Sequence, residues 1–406
     1  MLKTTGARLA AALLGYIALI IMLLTLNPFS FGPIKQLRLS LHVEPSDVVA
    51  NVLLFLPIGF LYRLTGGRYR GAILIGALLS AGVEAGQLFV PMRTPSVVDI
   101  LVNTFGAALG VRLHTYLESR LSLTSTHVGR LALETPLMGL IYLLVPLLWV
   151  NSLALGNMPS RWLLTALIGG CGAIVLSAVV RQRHLPDGRG GLRRVALASA
   201  VWFGMGAGPS LLPRPFSTLA IGAGMVALSV GLTLTAGRAT ERRFERSTLS
   251  RVIPLFIVYL LLAATWPLAR PLVGWHGRLG LTGGFDRASI RAIFPLIEYL
   301  AAFTVLGYVS AEWRGRAELT LMRDLPQVLL AALVIAIGFE LLIGFQAGPG
   351  ASLLRVVVVI SGALFGGMIY HLQRDHIRFL LGRAPARGAS APVLVAPKDQ
   401  ESRAPS

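Results

Sequence analysis

Charge is scarce in this chain. Asp, Glu, Lys and Arg make up 14% of its 406 residues, against about a quarter in ordinary soluble domains. Acidic residues are scarcer still, 18 against 37 Lys and Arg. There is one cysteine, Cys171, set within an apolar run, so an intrachain disulfide is excluded and a structural thiol is expected. The histidines are scattered, with no H-x-x-x-H spacing, and no C-x-x-C pair occurs, so neither a metal nor a cofactor is expected. Alternating segments of about ten residues are missing as well, which excludes a membrane β-barrel.

What the chain has instead is apolar length. Hydrophobic residues make up 54% of it, and runs of roughly 18–22 residues recur from end to end, each able to cross about 30 Å of hydrocarbon. They fall near 9–26, 47–62, 71–90, 97–117, 131–150, 162–180, 195–212, 217–235, 252–269, 292–311, 325–345 and 352–371. The expected fold is all-α, a polytopic transmembrane bundle of about twelve helices.

The net charge of +19 then has a topological reading. With the N-terminus, bearing Lys3 and Arg8, in the cytoplasm, most of the 37 Lys and Arg fall on the cytoplasmic side. The connections "RQRHLPDGRGGLRR" and "GRATERRFERSTLSR" are among them. No basic folded face is visible, so nucleic acid is not an expected partner. The first helix reads as a retained signal anchor, since no A-x-A-like site follows it. Both termini are expected in the cytoplasm, and the Pro/Ala/Ser-rich residues 383–406 as a disordered tail.

The helices group as four, four and four: residues 1–120, 121–250 and 251–382. Polar motifs are dense in the first group and sparse in the middle one. The last group reads as a degenerate parallel repeat of the first. Ser80–Gly110 laid over Ala336–Gly366, 256 positions on, matches at Gly82/Gly338, Glu84/Glu340, Phe89/Phe345, Ser96/Ser352, Val102/Val358, Gly106/Gly362, Ala107/Ala363 and Gly110/Gly366. The polar groups are not copied. Gln87 aligns with Ile343, Arg93 with Pro349, Asp99 with Arg355 and Asn103 with Val359.

Helix 2 opens "DVVANVLLFLPIG". Asp47 and Asn51 are four apart and share a face, Pro57 is expected to kink the helix, and Gly59 permits close packing. Asp47 also fits a helix N-cap together with Ser46. Asn51, a turn deeper, caps nothing and suits an interhelical hydrogen bond. On helix 3, Glu84 and Gln87 share a face. A charge near the bilayer centre costs about 2.5–3.5 kcal/mol on insertion scales, so Glu84 is expected to face the bundle interior, either protonated or ionised against a cation. Arg93, in the hairpin "FVPMRTPSVVD", is the nearest cation in sequence. Ser96 and Asp99 stand at capping-box spacing, so a second reading of Asp99 is that it only helps to start helix 4. Asn103 lies on its face, one turn deeper. Gly106 and Gly110 form a GxxxG, read as packing.

With helices 2 and 4 running inward and helix 3 outward, all seven polar positions fall at one extracytoplasmic level: Asp47, Asn51, Glu84, Gln87, Arg93, Asp99 and Asn103. A polar cluster held by three spanning helices is a candidate binding site on physical grounds. Elsewhere, Glu298 is expected to extend that level, and Arg355 to pair with Glu340. The glycines of "WHGRLG" and "LTGGFDR" read as turns.

The pattern Asp-x3-Asn-x3-Phe-x-Pro-x-Gly at Asp47, Asn51, Phe55, Pro57 and Gly59 resembles the first signature of the VanZ-like family. Glu84, Gln87, Arg93, Asp99, Asn103, Gly106 and Gly110 resemble the second, and the full domain would cover roughly 1–120. The resemblance implies a bacterial inner-membrane protein with a cell-envelope role, linked in the family's name to resistance to the glycopeptide teicoplanin. It supplies no established reaction, and the chain adds about 280 residues to the minimal family member.

Three functions stay open on this reading. One is a non-enzymatic envelope factor whose polar site meets membrane lipids, a lipid-linked cell-wall precursor or an envelope protein, with Arg93 as the anion-binding fork. The second is an intramembrane enzyme using Glu84 and Asp99 as acid and base, although no nucleophile or metal motif accompanies them. The third is a twelve-helix transporter, against which the polar groups lie toward one side.

Overall fold

The computed structural model describes residues 5–26, 45–90, 95–120, 125–184, 188–235, 244–265, 274–278, 290–314, 320–346 and 350–383. They form twelve α-helices in an all-α bundle: α1 (Thr5–Thr25), α2 (Pro45–Leu64), α3 (Tyr69–Gln87), α4 (Val97–Arg120), α5 (Ser125–Asn157), α6 (Trp162–His184), α7 (Gly188–Leu211), α8 (Pro215–Thr235), α9 (Phe244–Thr265), α10 (Ile290–Arg314), α11 (Leu321–Gly344) and α12 (Leu353–Arg383). Nine of the described helices are long and apolar enough to cross a membrane. In hydrocarbon a spanning segment must satisfy its own backbone, and the helix does so within one strand of chain.

Several helices outrun their apolar runs. α5 extends over Ser125–Asn157 where the run covers 131–150, and α12 reaches Arg383 where the run stops near 371. Hydropathy marks the stretch that tolerates lipid, whereas helical hydrogen bonding continues into polar flanks. Pro57 lies inside α2, which continues as one helix from Pro45 to Leu64. The tail after 383 and the segment "LTGGFDR" lie outside the described residues. Gly277, expected in a turn, is instead in a two-residue parallel bridge, Gly277–Arg278 (β1) against Ala351–Ser352 (β2).

Two helices of the middle group, α5 and α6, carry the most enclosed of the candidate spans. The candidate span in α5 is 78% buried and that of α6 72%, against 22% for α2 and 17% for α8. Leu137, Leu140, Leu144, Leu147, Ile168 and Cys171 are fully buried there, and Cys171 is a free thiol. α5 packs against α6, α7, α10 and α12, while α1 packs on both α2 and α12. Tyr16 of α1 stacks on Phe365 of α12 with ring centroids 5.2 Å apart. At one end of the same pair, Thr5 Oγ1 and His376 Nδ1 are 3.1 Å apart. The start of α1 and the last turns of α12 therefore lie on the same side of the bundle.

Two sets of helices close in matching ways. A Cβ at Gly59 of α2 would strike the Ala107 carbonyl of α4, and one at Gly307 of α10 would strike the Ala363 carbonyl of α12. Gly110 meets Leu56 O and Phe60 N, while Gly366 meets Thr304 O and Tyr308 N. At these positions the α2/α4 and α10/α12 backbones come too close for any side chain between them. The rings follow: Phe60 and His114 meet edge to face at 5.5 Å, and Tyr308 and Tyr370 do so at 5.7 Å.

Candidate functional site

The polar positions lie where α2, α3 and α4 meet, at the end of the α3–α4 hairpin. α4 begins at Val97, after Ser96. The Ser96 hydroxyl accepts the Asp99 N–H at 3.3 Å, so Ser96 is the N-cap read from the sequence. The other half of a capping box would have the Asp99 carboxylate take the Ser96 N–H. It does not. Glu84 Oε2, on α3, takes that N–H at 2.7 Å. A neighbouring helix thus completes the cap, and the Asp99 side chain is left for another partner.

That partner is Asn51, whose Nδ2 donates to Asp99 Oδ1 at 3.2 Å and joins α2 to α4. Asp47, one turn away on α2, is exposed and lies within electrostatic range of Asp99. Among the described residues no Lys or Arg is in ion-pair contact with either acid.

Deeper by one turn, Asn103 Nδ2 donates to Ser80 Oγ at 2.9 Å, between α4 and α3. Asn103 is only 4% exposed, yet its Oδ1 has no hydrogen-bond partner. Ser80 escaped the sequence reading, although it is four residues before Glu84 and so on its face. The GxxxG below these groups brings α2 in: Gly106 meets Val52 O, and Gly110 meets Leu56 O.

Of the other two positions, one stands apart. Gln87 turns away from the cluster and donates from Nε2 to Thr25 O at 3.1 Å, closing the last turn of α1. Arg93 lies outside the described residues. Five positions, Asp47, Asn51, Glu84, Asp99 and Asn103, are gathered at the three-helix junction, with Ser80 and Ser96 added to them.

The α11–α12 hairpin repeats the first of these contacts. Glu340 Oε2 takes the Ser352 N–H at 2.6 Å, 256 positions after Glu84 and Ser96. The Glu340 carboxylate is also held by Arg355. Arg355 donates from Nε to Glu340 Oε1 at 2.8 Å and from Nη2 to Oε2 at 2.7 Å. This fork-to-fork pair is the one expected from the sequence. Arg355 stands at the position of Asp99, and Tyr299 at that of Asn51, 248 positions on. Tyr299 lies within electrostatic range of Glu298, Arg355, Glu340 and Arg161.

Glu298 does not join the α2–α4 cluster. Its carboxylate takes Arg161 Nη2 at 2.5 and 2.6 Å, and Tyr259 OH donates to Oε1 at 2.8 Å. Asn151 Nδ2 donates in turn to that hydroxyl at 3.0 Å. The sequence reading missed Arg161, whose signal was a basic residue beside Trp162 in a short connection between two spans. A second buried group also escaped it: Asp324 takes Arg314 Nε at 3.0 Å and meets His371 Nε2 at 2.9 Å. No group of three or more His, Cys, Asp or Glu that would suit a metal ion occurs among the described residues.

The family model described as VanZ/LLP1 matches residues 14–118, which run from within α1 to the end of α4 and contain the whole junction. Neither the curated proteins nor the solved structures yield a match to the chain. The chain is therefore a multi-pass membrane protein with a VanZ-like region at residues 14–118.

Proposed function

We propose that this protein is an envelope factor of the bacterial cytoplasmic membrane that binds a lipid-linked or other envelope component at the α2–α4 junction. The site opens to the extracytoplasmic side, the orientation favoured by the distribution of Lys and Arg, and both termini are cytoplasmic. The observation that carries this reading is the run of interhelical polar contacts at one level, Asn51–Asp99, Glu84–Ser96 and Asn103–Ser80, with an orphaned acceptor on Asn103. Intramembrane polar groups are costly, and a cluster of them marks a ligand pathway or site by default. Arg93, placed by the sequence in the adjoining hairpin, supplies a fork suited to a phosphate or carboxylate.

Binding is favoured over catalysis because Glu84 is spent on capping α4 and Asp99 on holding Asn51. On the same reading the region 251–382 is a degenerate copy of the VanZ-like unit 1–120, retained for packing. The region 121–250 is the scaffold between them. The glycopeptide link implied by the family then runs through the bound envelope component, and loss of the protein shifts teicoplanin susceptibility.

The test is to purify the full chain with native lipid and identify what co-purifies, for wild type and for Arg93→Ala and Asp99→Asn. A specific lipid-linked species enriched over bulk lipid in the wild type, and lost in both variants, is expected. Turnover of that species on incubation would convert the reading to an enzyme. The same lipid profile in all three proteins would overturn it.

A further inference from the structure

α8 is the least enclosed of the candidate spans, with 17% of its window buried, and one side of it is left unfilled. A groove of about 460 Å³ runs between α6 and α8. Trp162, Ala166 and Gly170 line it from α6, and Ser217, Gly224 and Leu228 from α8. Glycine weakens a helix interior, so Gly224 calls for a reason. A Cβ added there would meet no described residue within 4 Å, whereas one at Gly59 or Gly110 would strike a facing backbone. Packing within the chain therefore does not explain Gly224, and the open groove does.

The mouth of the groove is positive. Ser217 lies in the first turn of α8, and its hydroxyl donates to Arg214 O at 3.2 Å. Arg214, just before α8, is exposed and has no ion-pair partner among the described residues. The N-terminus of α8 adds its own partial positive charge at that end. Arg161, beside Trp162, is spent on Glu298. The length of the groove bears on its occupant. From Ser217 to Leu228, α8 rises roughly 16 Å, half of a hydrocarbon core of about 30 Å. α8 itself continues to Thr235. A partner helix crossing the bilayer would seat along the whole span, whereas an acyl chain from one leaflet ends at the midplane.

We infer that the α6–α8 groove holds one acyl chain of an anionic phospholipid, with its phosphate at Arg214 and the N-terminus of α8. Trp162, half exposed at the same end, stands at headgroup level, where an amphipathic ring is favoured. This site is separate from the α2–α4 junction and does not rest on the reading given for it.

The experiment supplies the full chain, purified in detergent, with equal amounts of dioleoyl phosphatidylglycerol and dioleoyl phosphatidylcholine, and reads retained lipid by native mass spectrometry. The anionic lipid is expected to be retained about fivefold over the zwitterionic one, the ratio one guanidinium near a membrane surface supplies. Dihexanoyl phosphatidylglycerol, too short to fill the groove, is expected to be lost. Arg214→Gln, at an exposed position, is expected to abolish the preference. Gly224→Leu fills the groove without a clash and is expected to cut retention of the anionic lipid several-fold. Gly231→Leu, beyond the groove on the same helix and equally free of neighbours, is expected to leave it unchanged. Equal retention of the two dioleoyl lipids by wild type, or an unchanged preference in Arg214→Gln, overturns the anionic headgroup. Unchanged retention in Gly224→Leu, an equal loss in Gly231→Leu, or full retention of the short-chain lipid overturns the acyl chain in the groove. A wild-type dimer that Gly224→Leu breaks would assign the groove to a second copy of the chain instead.

Discussion

The α3–α4 and α11–α12 hairpins start their second helices alike, with a glutamate on the first helix taking a serine backbone N–H at 2.7 and 2.6 Å. They differ in the residues at three matched positions. The second hairpin closes the corner with Arg355 and has Tyr299 and Val359 beside it. The first sets Asp99, Asn51 and Asn103 at those positions. Shared backbone geometry with divergent side chains separates what the fold needs from what it does not. The glutamate cap and the glycine contacts are common to both, whereas the acids and amides of the first hairpin go beyond that shared set. That surplus is the argument for a site.

The comparison is broken most sharply at Arg355. Arg355→Ala leaves Glu340 without its cation and is expected to cost about 4 kcal/mol, the range for orphaning one partner of a buried pair. Glu340→Gln with Arg355→Gln removes both charges and is expected to cost far less. Unfolding midpoints in one detergent check both. If the single variant is as stable as the wild type, the pair does not close the corner.

Next come the glycines, where the two sets should agree. Gly110→Val and Gly366→Val each push a side chain into a facing backbone, and each is expected to cost about 3 kcal/mol by overpacking. Folded yield and thermal midpoint measure it. A loss in only one of them would deny that α2/α4 and α10/α12 close by the same contact. Asn51→Leu is smaller, about 1 kcal/mol for one interhelical hydrogen bond, with a larger effect expected on any bound headgroup than on stability. The smallest contrast lies in the caps. The Ser96 hydroxyl holds the Asp99 N–H, so Ser96→Ala is expected to cost about 1 kcal/mol. At Ser352 the glutamate takes the backbone N–H, which Ser352→Ala keeps, and the cost should stay within about 0.5 kcal/mol. Equal losses at the two serines would mean that the caps work by another route.

Much of this was legible in the sequence because lipid makes apolar length informative. The twelve helices follow from apolar runs, and the polar level follows from alternating helix direction. Asn51 was readable as an interhelical donor because nothing at its depth could be capped. What stayed hidden depended on partners far apart in the chain. The spacing of Ser96 and Asp99 suggested a complete capping box, yet Glu84 supplies half of it from another helix. Gln87 shares a face with Glu84 but lies near the end of α1, so its amide closes that helix instead. Glu298 is paired with Arg161, 137 residues away, and no local spacing shows that. The match of α10 to α2 runs at 248 positions rather than 256, because the end of α10, the connection and the start of α11 are together longer than their counterparts in α2 and α3, and an ungapped overlay stops there.

The central claim is that the first hairpin carries a ligand site and the second has closed its own. It is tested most directly by native mass spectrometry of lipid retained by two double variants. Asp99→Asn with Asn103→Leu removes the first corner, and Glu340→Gln with Arg355→Gln removes the second. The account predicts that the first loses the species enriched on the wild-type protein while the second keeps it. Loss in the second alone, or retention in both, would contradict it.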